Sequence, residues 1–230
     1  MIYQVYDLAA MGSSDADALA VRQLGTIDHF ALTWMSMRGE IMSHKHPLHD
    51  ELLLLISGQV TLSTAGQELA LAQQDVVYIP QGLGHQVIAP EGGSMLVMAV
   101  QGNPERRNGH GGANPSQRVV VRRPREELVR ATGYPFFSIT VAQADDMVMR
   151  AGWWQGVVNW HRHGEHDELL LVLDGQVEVG TEAGPIQLMP NMATIVPRKR
   201  VHNLIARRQS LLLALINNAV PASAQMGREG

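Results

Sequence analysis

The two halves of this 230-residue chain carry the same rare residues at the same spacing. His161, His163, Glu168, Gly175, Pro197 and His202 each stand 117 positions beyond His44, His46, Glu51, Gly58, Pro80 and His85, and no gap interrupts the match. An ungapped recurrence of this kind marks an internal duplication. Whatever the chain folds into must therefore be built twice, from units near the usual single-core size. Because the recurring set contains three imidazoles and a carboxylate, each unit is a candidate cation site.

Composition narrows the chemistry. A net charge of −4 with 17% charged residues gives no reason to expect nucleic acid or another polyanion as partner. With no Cys, disulfides, thiolate ligands and a thiol nucleophile are excluded, so any metal must be held by imidazole and carboxylate. The stretch Met1–Ala10 lacks a basic, apolar leader, and no apolar run approaches spanning length. The expectation is a cytoplasmic protein without a membrane partner.

Short apolar or alternating segments punctuated by Gly, Pro and Asp predict an all-β chain of sandwich or jelly-roll type. In the first unit the expected strands are 27–37, 41–46, 51–57, 59–63, 68–71, 75–79, 85–89 and 95–100. In the second they are 136–141, 153–161, 168–173, 176–180, 186–188, 193–196, 202–206 and 211–216. Two helices are expected, one over Asp15–Leu24 and one over Pro124–Ala131, where Pro opens the first turn ahead of Glu126 and Glu127. The expected division is a first domain over 1–105, a Gly-, Asn- and Pro-rich linker over 106–123, a second domain over 124–220 and a disordered tail over 221–230.

Alternation along a strand places His44 with His46, and His161 with His163, on one face. Glu51 begins an apolar run whose i+2 and i+4 members, Leu53 and Leu55, are expected to face the interior. Leu170 and Val172 follow Glu168 in the same way. A carboxylate against such walls needs a partner, and a divalent cation shared with imidazoles removes the cost of burying it. His85 and His202 follow Pro-containing turns that can return the chain over the site.

These residues resemble the two motifs of the cupin superfamily. The first motif has Gly, His-x-His, Glu and Gly at set intervals, and Gly39–Gly58 and Gly156–Gly175 follow it with the opening gap one residue short. Of the second, the first unit keeps Pro80, Gly82 and His85, with Gln74 and Ala89 at the outer positions. The second unit keeps Pro197 and His202 but has Asn191, Lys199 and Ala206 elsewhere. The resemblance implies a bicupin, two tandem double-stranded β-helix (jelly-roll) barrels. In it, His44, His46, Glu51 and His85, and likewise His161, His163, Glu168 and His202, bind a metal. Donors of this kind suit Fe(II), Mn(II), Ni(II), Co(II) or Zn(II), with no organic cofactor. It also implies pairing with a second copy as a homodimer.

Other recurring positions have assignable chemistry. His49 and His166 precede the metal Glu by two residues and, with Glu51 and Glu168, are the candidates to move protons, or they add a further ligand, although a His on a turn between strands is more often solvated or hydrogen-bonded to backbone. Met42 and Asn159, two residues before the first ligand, are expected to face the two cavities with different chemistry. Lys199, between Arg198 and Arg200, is a candidate to steer an anionic substrate, against the commoner solvated charged loop. Trp153, Trp154 and Trp160 are expected to pack rather than to stack on substrate.

A cation with these ligands would take a small-molecule substrate with adjacent oxygens, such as an enediolate, catecholate or α-hydroxy carbonyl. Dioxygen chemistry makes the chain a cupin-type dioxygenase. A Lewis-acid ion makes it an isomerase, cyclase or lyase. From a different class comes a binding or sensor protein that only holds its ligand.

Overall fold

The computed structural model describes residues 3–12, 18–101, 107–108, 117–130 and 137–217. Among them, strands dominate and the one helix is α1 (Pro124–Arg130). The chain divides into two compact units, one of Ala9–Arg123 and one of Met1–Leu8 together with Pro124–Gly230.

The first strand, β1 (Val5–Asp7), belongs to the latter unit. Within Ala9–Arg123 follow β2 (Leu19–Ile27), β3 (Phe30–Lys45), β4 (Glu51–Gly58), β5 (Val60–Thr64), β6 (Glu68–Leu71), β7 (Val76–Ile79), β8 (His85–Val100), β9 (Arg107–Asn108) and β10 (Val120–Arg122). The other unit continues with β11 (Phe137–Ala144), β12 (Met147–His161), β13 (Glu168–Asp174), β14 (Val177–Thr181), β15 (Gly184–Leu188), β16 (Met192–Val196) and β17 (His202–Asn217). The strand order is β10-β7-β4-β8-β3-β2 in one and β1-β16-β13-β17-β12-β11 in the other, with β5-β6 and β14-β15 branching from β8 and β17. All pairings are antiparallel.

The all-β fold of two tandem jelly-roll units is as expected, and among the described residues the hydrogen-bonded path of each does not close into a ring. Each unit is instead a sheet folded over on its longest strands. The first part of β8, His85–Ile88, pairs with β5, and its last part, from Gly93 on, pairs with β4, so one strand serves two layers. Register shifts let it bend: β3 slips between Met37 and Gly39, and β12 slips between Trp154 and Gly156. Gly39 and Gly156, at φ 99° and 114°, supply the backbone conformation these slips need.

Between the layers of the first unit lie Leu53, Leu55, Leu62, Val77, Ile79 and Val87. In the second unit Leu170, Val172, Val179, Val196, Leu204 and Leu212 take this place. Each such side chain, fully buried, contributes about 1.5–3 kcal/mol. The expected apolar walls beyond Glu51 and Glu168 are therefore present.

Three expectations need correction. Residues 19–24 are strand, not helix, because β2 pairs with β3 from Leu19↔Met37 to Ile27↔Phe30, and pairing outweighs a modest helix propensity. Asp15, the expected cap, lies outside the described residues. The expected linker contributes strands to the first unit: Arg107 and Asn108 pair with Lys45 and His44, and Val120–Arg122 pairs with β7. Val119 is buried in that unit's core, which gives the β-branched run its reason to pair. At the other end, β1 pairs with β16, so the amino-terminal residues complete the second unit and not the first. The helix expected from Pro124 is present, and the expected tail over 221–230 lies outside the described residues.

Candidate metal centres

In each unit the last residues of one long strand and the first of another bring two ligands face to face. His44 is the register partner of His85, and His161 of His202. Glu51 and Glu168 open the neighbouring strands β4 and β13. The loops carrying the third His are tied down in the same way twice. Asp50 accepts from the Gln81 amide at 2.9 Å and Asp167 from the Arg198 amide at 2.8 Å. The His46 and His163 carbonyls accept from Gly82 at 2.7 Å and Lys199 at 2.6 Å. Gly82 and Lys199 both sit at positive φ, 75° and 66°, so the turn keeps its shape in both units although the residue differs.

The outcome is a pair of clusters. His161, His163, Glu168 and His202 each offer an atom within 4.8 Å of all the others, and so do His44, His46 and His85. Glu51 completes the first cluster at slightly longer range, its oxygens 3.7 Å from His46 Nε2 and 3.4 Å from His85 Nε2. In the second, Glu168 Oε2 is 3.1 Å from His163 Nε2 and 3.3 Å from His202 Nε2.

Hydrogen bonds decide which nitrogen faces inward. Nδ1 of His44 donates to the Met42 carbonyl at 2.9 Å and Nδ1 of His85 to Leu83 at 3.0 Å. In the second unit His161 donates to Asn159 at 2.8 Å and His202 to Arg200 at 3.2 Å. A carbonyl only accepts, so in the neutral ring Nδ1 carries the proton and Nε2 the lone pair. Nε2 of His85 and of His202 is buried without a hydrogen-bond partner, facing a carboxylate oxygen. Two lone-pair bearers opposed at that range repel unless a proton or a cation lies between them. The donor set thus fits a divalent cation.

Electrostatics agree. Burial alone would raise the carboxyls, but His85, then His46 and His44, hold Glu51 below its usual 4.5, and His163 and His202 hold Glu168 far below the carboxylate range. Burial, with the nearby His202 and His163, lowers His161. For His163 burial acts downward too, but the bond to Glu168 wins and its pKa is raised.

The other candidates separate. His49 and His166, on the turns before the metal Glu, are buried rather than solvated, 4% and 1% exposed, with their rings against His46 and His163. Met42 and Asn159 do not face the cavities: both are exposed, and only their carbonyls serve the sites. The cause is a second register shift, between Ile41 and His44 and between Val158 and His161, which resets the alternation so that Ile41 and Val158 pack inward. Lys199 is exposed as well, and the flanking Arg198 and Arg200 pair with Asp167 and Glu182 at 3.3 and 3.4 Å. Trp154 packs on the second core, whereas Trp160 is half exposed. Sequence reasoning missed Tyr3. It packs on the second core, its hydroxyl buried without a hydrogen-bond partner, and burial, then Glu182, raises its pKa. No local signal marks it, since its packing depends on β1 pairing with the distant β16.

Comparison with known proteins agrees with this geometry. Residues 34–101 match the family model of the cupin domain. No curated protein matches the chain by sequence. The fold is similar to that of a cupin 2 conserved barrel domain protein from Leptotrichia buccalis (TM-score 0.69, 13% identity, covering 93% of this chain and 95% of that one). It is also similar to a mutant salicylate 1,2-dioxygenase from Pseudoaminobacter salicylatoxidans in complex with gentisate (TM-score 0.72, 10% identity, 94% and 82%). A third likeness is to protein Ylba from E. coli (TM-score 0.66, 11% identity, 94% and 91%). No helix among the described residues is long and apolar enough to cross a membrane. Residues 34–101 are thus matched as a cupin domain, and the second unit, which repeats the ligand pattern within a cupin-like fold, is consistent with a bicupin.

Proposed function

We propose that this chain is a metal-dependent dioxygenase acting on a small, oxygen-chelating metabolite, with a divalent ion such as Fe(II) or Mn(II) held in each unit. One observation carries the reading: twice over, a carbonyl-anchored imidazole, His85 or His202, turns its Nε2 lone pair toward a partly buried carboxylate. The ion, when bound, supplies a site where adjacent substrate oxygens and dioxygen can meet.

The protein's own residues supply the rest. Glu51 and Glu168 stay ionised and offset the ion's charge, and a carboxylate held so low is a ligand rather than a base. The leucine and valine walls beyond them exclude water and favour an apolar or aromatic body on the substrate. The likeness to a salicylate dioxygenase supports the choice at the level of fold alone.

The test is metal analysis of the purified protein, followed by oxygen-electrode assays with catechols, hydroxybenzoates and enediols, with and without dioxygen. Two metal equivalents per chain and oxygen uptake matched to product support the reading. Full turnover without oxygen moves the assignment to an isomerase, cyclase or lyase. Ligand binding indifferent to metal removal makes it a binding protein.

A further inference from the structure

We infer that His166, and His49 in the other unit, are positioning residues whose imidazole faces hold the second metal ligand, His163 or His46, in its binding orientation. The inference rests on the metal reading above. In the second unit, two of the three ligand rings are fixed by an Nδ1 hydrogen bond to a carbonyl two residues back, His161 to Asn159 and His202 to Arg200. His163 has no such anchor, because its Nδ1 is buried without a hydrogen-bond partner. Its Nε2 is directed by Glu168, which fixes one point of the ring but leaves rotation about that direction open. The ring of His166 packs against that of His163 instead, with centroids 4.6 Å apart and planes inclined by 32°. In the first unit His49 stands to His46 at 4.8 Å and 35°.

A tilted ring-on-ring contact at this distance restrains rotation of the ligand ring and costs no donor. Burial reinforces it: at 1% and 4% exposure the two rings have no room to swing aside. The same offset of 117 positions links the two stacks, so the arrangement was copied with the ligands. The exposed-turn role usual for His between strands does not account for it.

If stacking is the function, an aromatic ring suffices and a nitrogen is not needed. The test uses the full chain with the first site disabled by His85→Ala, and reads Co(II) affinity and the visible Co(II) spectrum at the second site. His166→Ala should weaken Co(II) binding about tenfold or more and alter the ligand-field bands, whereas His166→Phe should stay within about threefold of the parent with its spectrum. His166→Gln, which keeps polarity but not the ring, should resemble His166→Ala. Thermal unfolding and circular dichroism accompany each variant. Should His166→Phe fail to fold, the matching series at His49, with His202→Ala disabling the second site, carries the same comparison. Unchanged affinity and spectrum in His166→Ala would overturn the inference while leaving the metal reading intact. Retention in Gln with loss in Phe would overturn it in favour of a nitrogen contact. If the parent binds no Co(II), both readings fall together.

Discussion

Oε2 of Glu168 lies 3.1 Å from Nε2 of His163, while the corresponding approach of Glu51 to His46 is 3.7 Å. The same carboxylate oxygen also faces His202 at 3.3 Å, so in the second unit one oxygen bridges two imidazoles, whereas in the first the two oxygens divide them. The second set is the more compact. Glu168→Gln, which removes the charge and keeps the shape, is expected to weaken metal binding there by at least about tenfold. Competition with a chromophoric chelator in a His85→Ala background measures it, and unchanged affinity would exclude Glu168 as a ligand.

Without metal, stability should follow the titration of these same groups. Glu168 and Glu51 have folded pKa values below 4.5, so the stability they contribute is present above about pH 4.5 and is lost as pH falls further. His163 is raised above 6.5, so its contribution is complete below that value and fades as pH rises through the folded value. Thermal unfolding in a chelator should therefore show the Glu168–His163 contribution largest between about pH 4.5 and 6.5, opposed there by His161, whose lowered pKa costs stability below about 6.5, and Glu168→Gln should flatten the Glu168–His163 feature. A profile that Glu168→Gln leaves unchanged would contradict the pairing.

Asp167 accepts from both the backbone amide and the Nε of Arg198, and so clips the turn that leads to His202. Asp167→Ala should cost about 1.5–3 kcal/mol, the range for a hydrogen bond to a charged group, and loosen metal at the second site. Asp50→Ala should act likewise on the first. Chemical denaturation, with and without metal, checks both.

Lys199 holds φ 66° where the other unit has Gly82, and its bond to the His163 carbonyl uses only backbone. A lysine is strained there, so Lys199→Gly should leave stability unchanged or raise it by up to about 1 kcal/mol. Because the side chain is exposed, kcat/KM should not change. A large loss of kcat/KM would restore Lys199 as a substrate contact.

Gly58, at φ 84°, packs so closely under the Gly92 carbonyl that an added Cβ would meet backbone. Gly58→Ala is expected to cost more than about 2 kcal/mol, seen as a fall in Tm. Gly175 at the matching place meets the side chain of Ser210 as well as its backbone. Gly175→Ala should therefore be as costly.

Much of this was legible in the residues because the chemistry was duplicated. His44, His46 and His85 recur with their glutamate, and a site that must be assembled twice leaves few other reasons for the repeat. Strand limits near Glu51, Glu68 and Glu168 were readable because apolar runs end there in turn formers. What alternation could not reveal was where alternation stops. Two shifts in β3 turn Ile41 inward and Met42 outward, and nothing local in the sequence marks the second. The burial of His49 and His166 was equally hidden, since it depends on the ring each meets and not on its neighbours in the chain. The strand over Leu19–Ile27 was obscured by residues that also suit a helix, and only its partner in β3 decides between the two.

The placement of β1 bears on any attempt to divide the protein. Thr194, fully buried, donates its hydroxyl to the Gln4 carbonyl, and the Leu8 amide bonds to Asn191, so the opening residues are fastened to the far half of the polypeptide. A gene cut at the repeat boundary would strip β16 of its outer neighbour and bare a row of amides and carbonyls, an invitation to aggregate. A fusion that joins residues 3–8 ahead of Pro124 should instead keep that neighbour in place and release a half that stays soluble by itself.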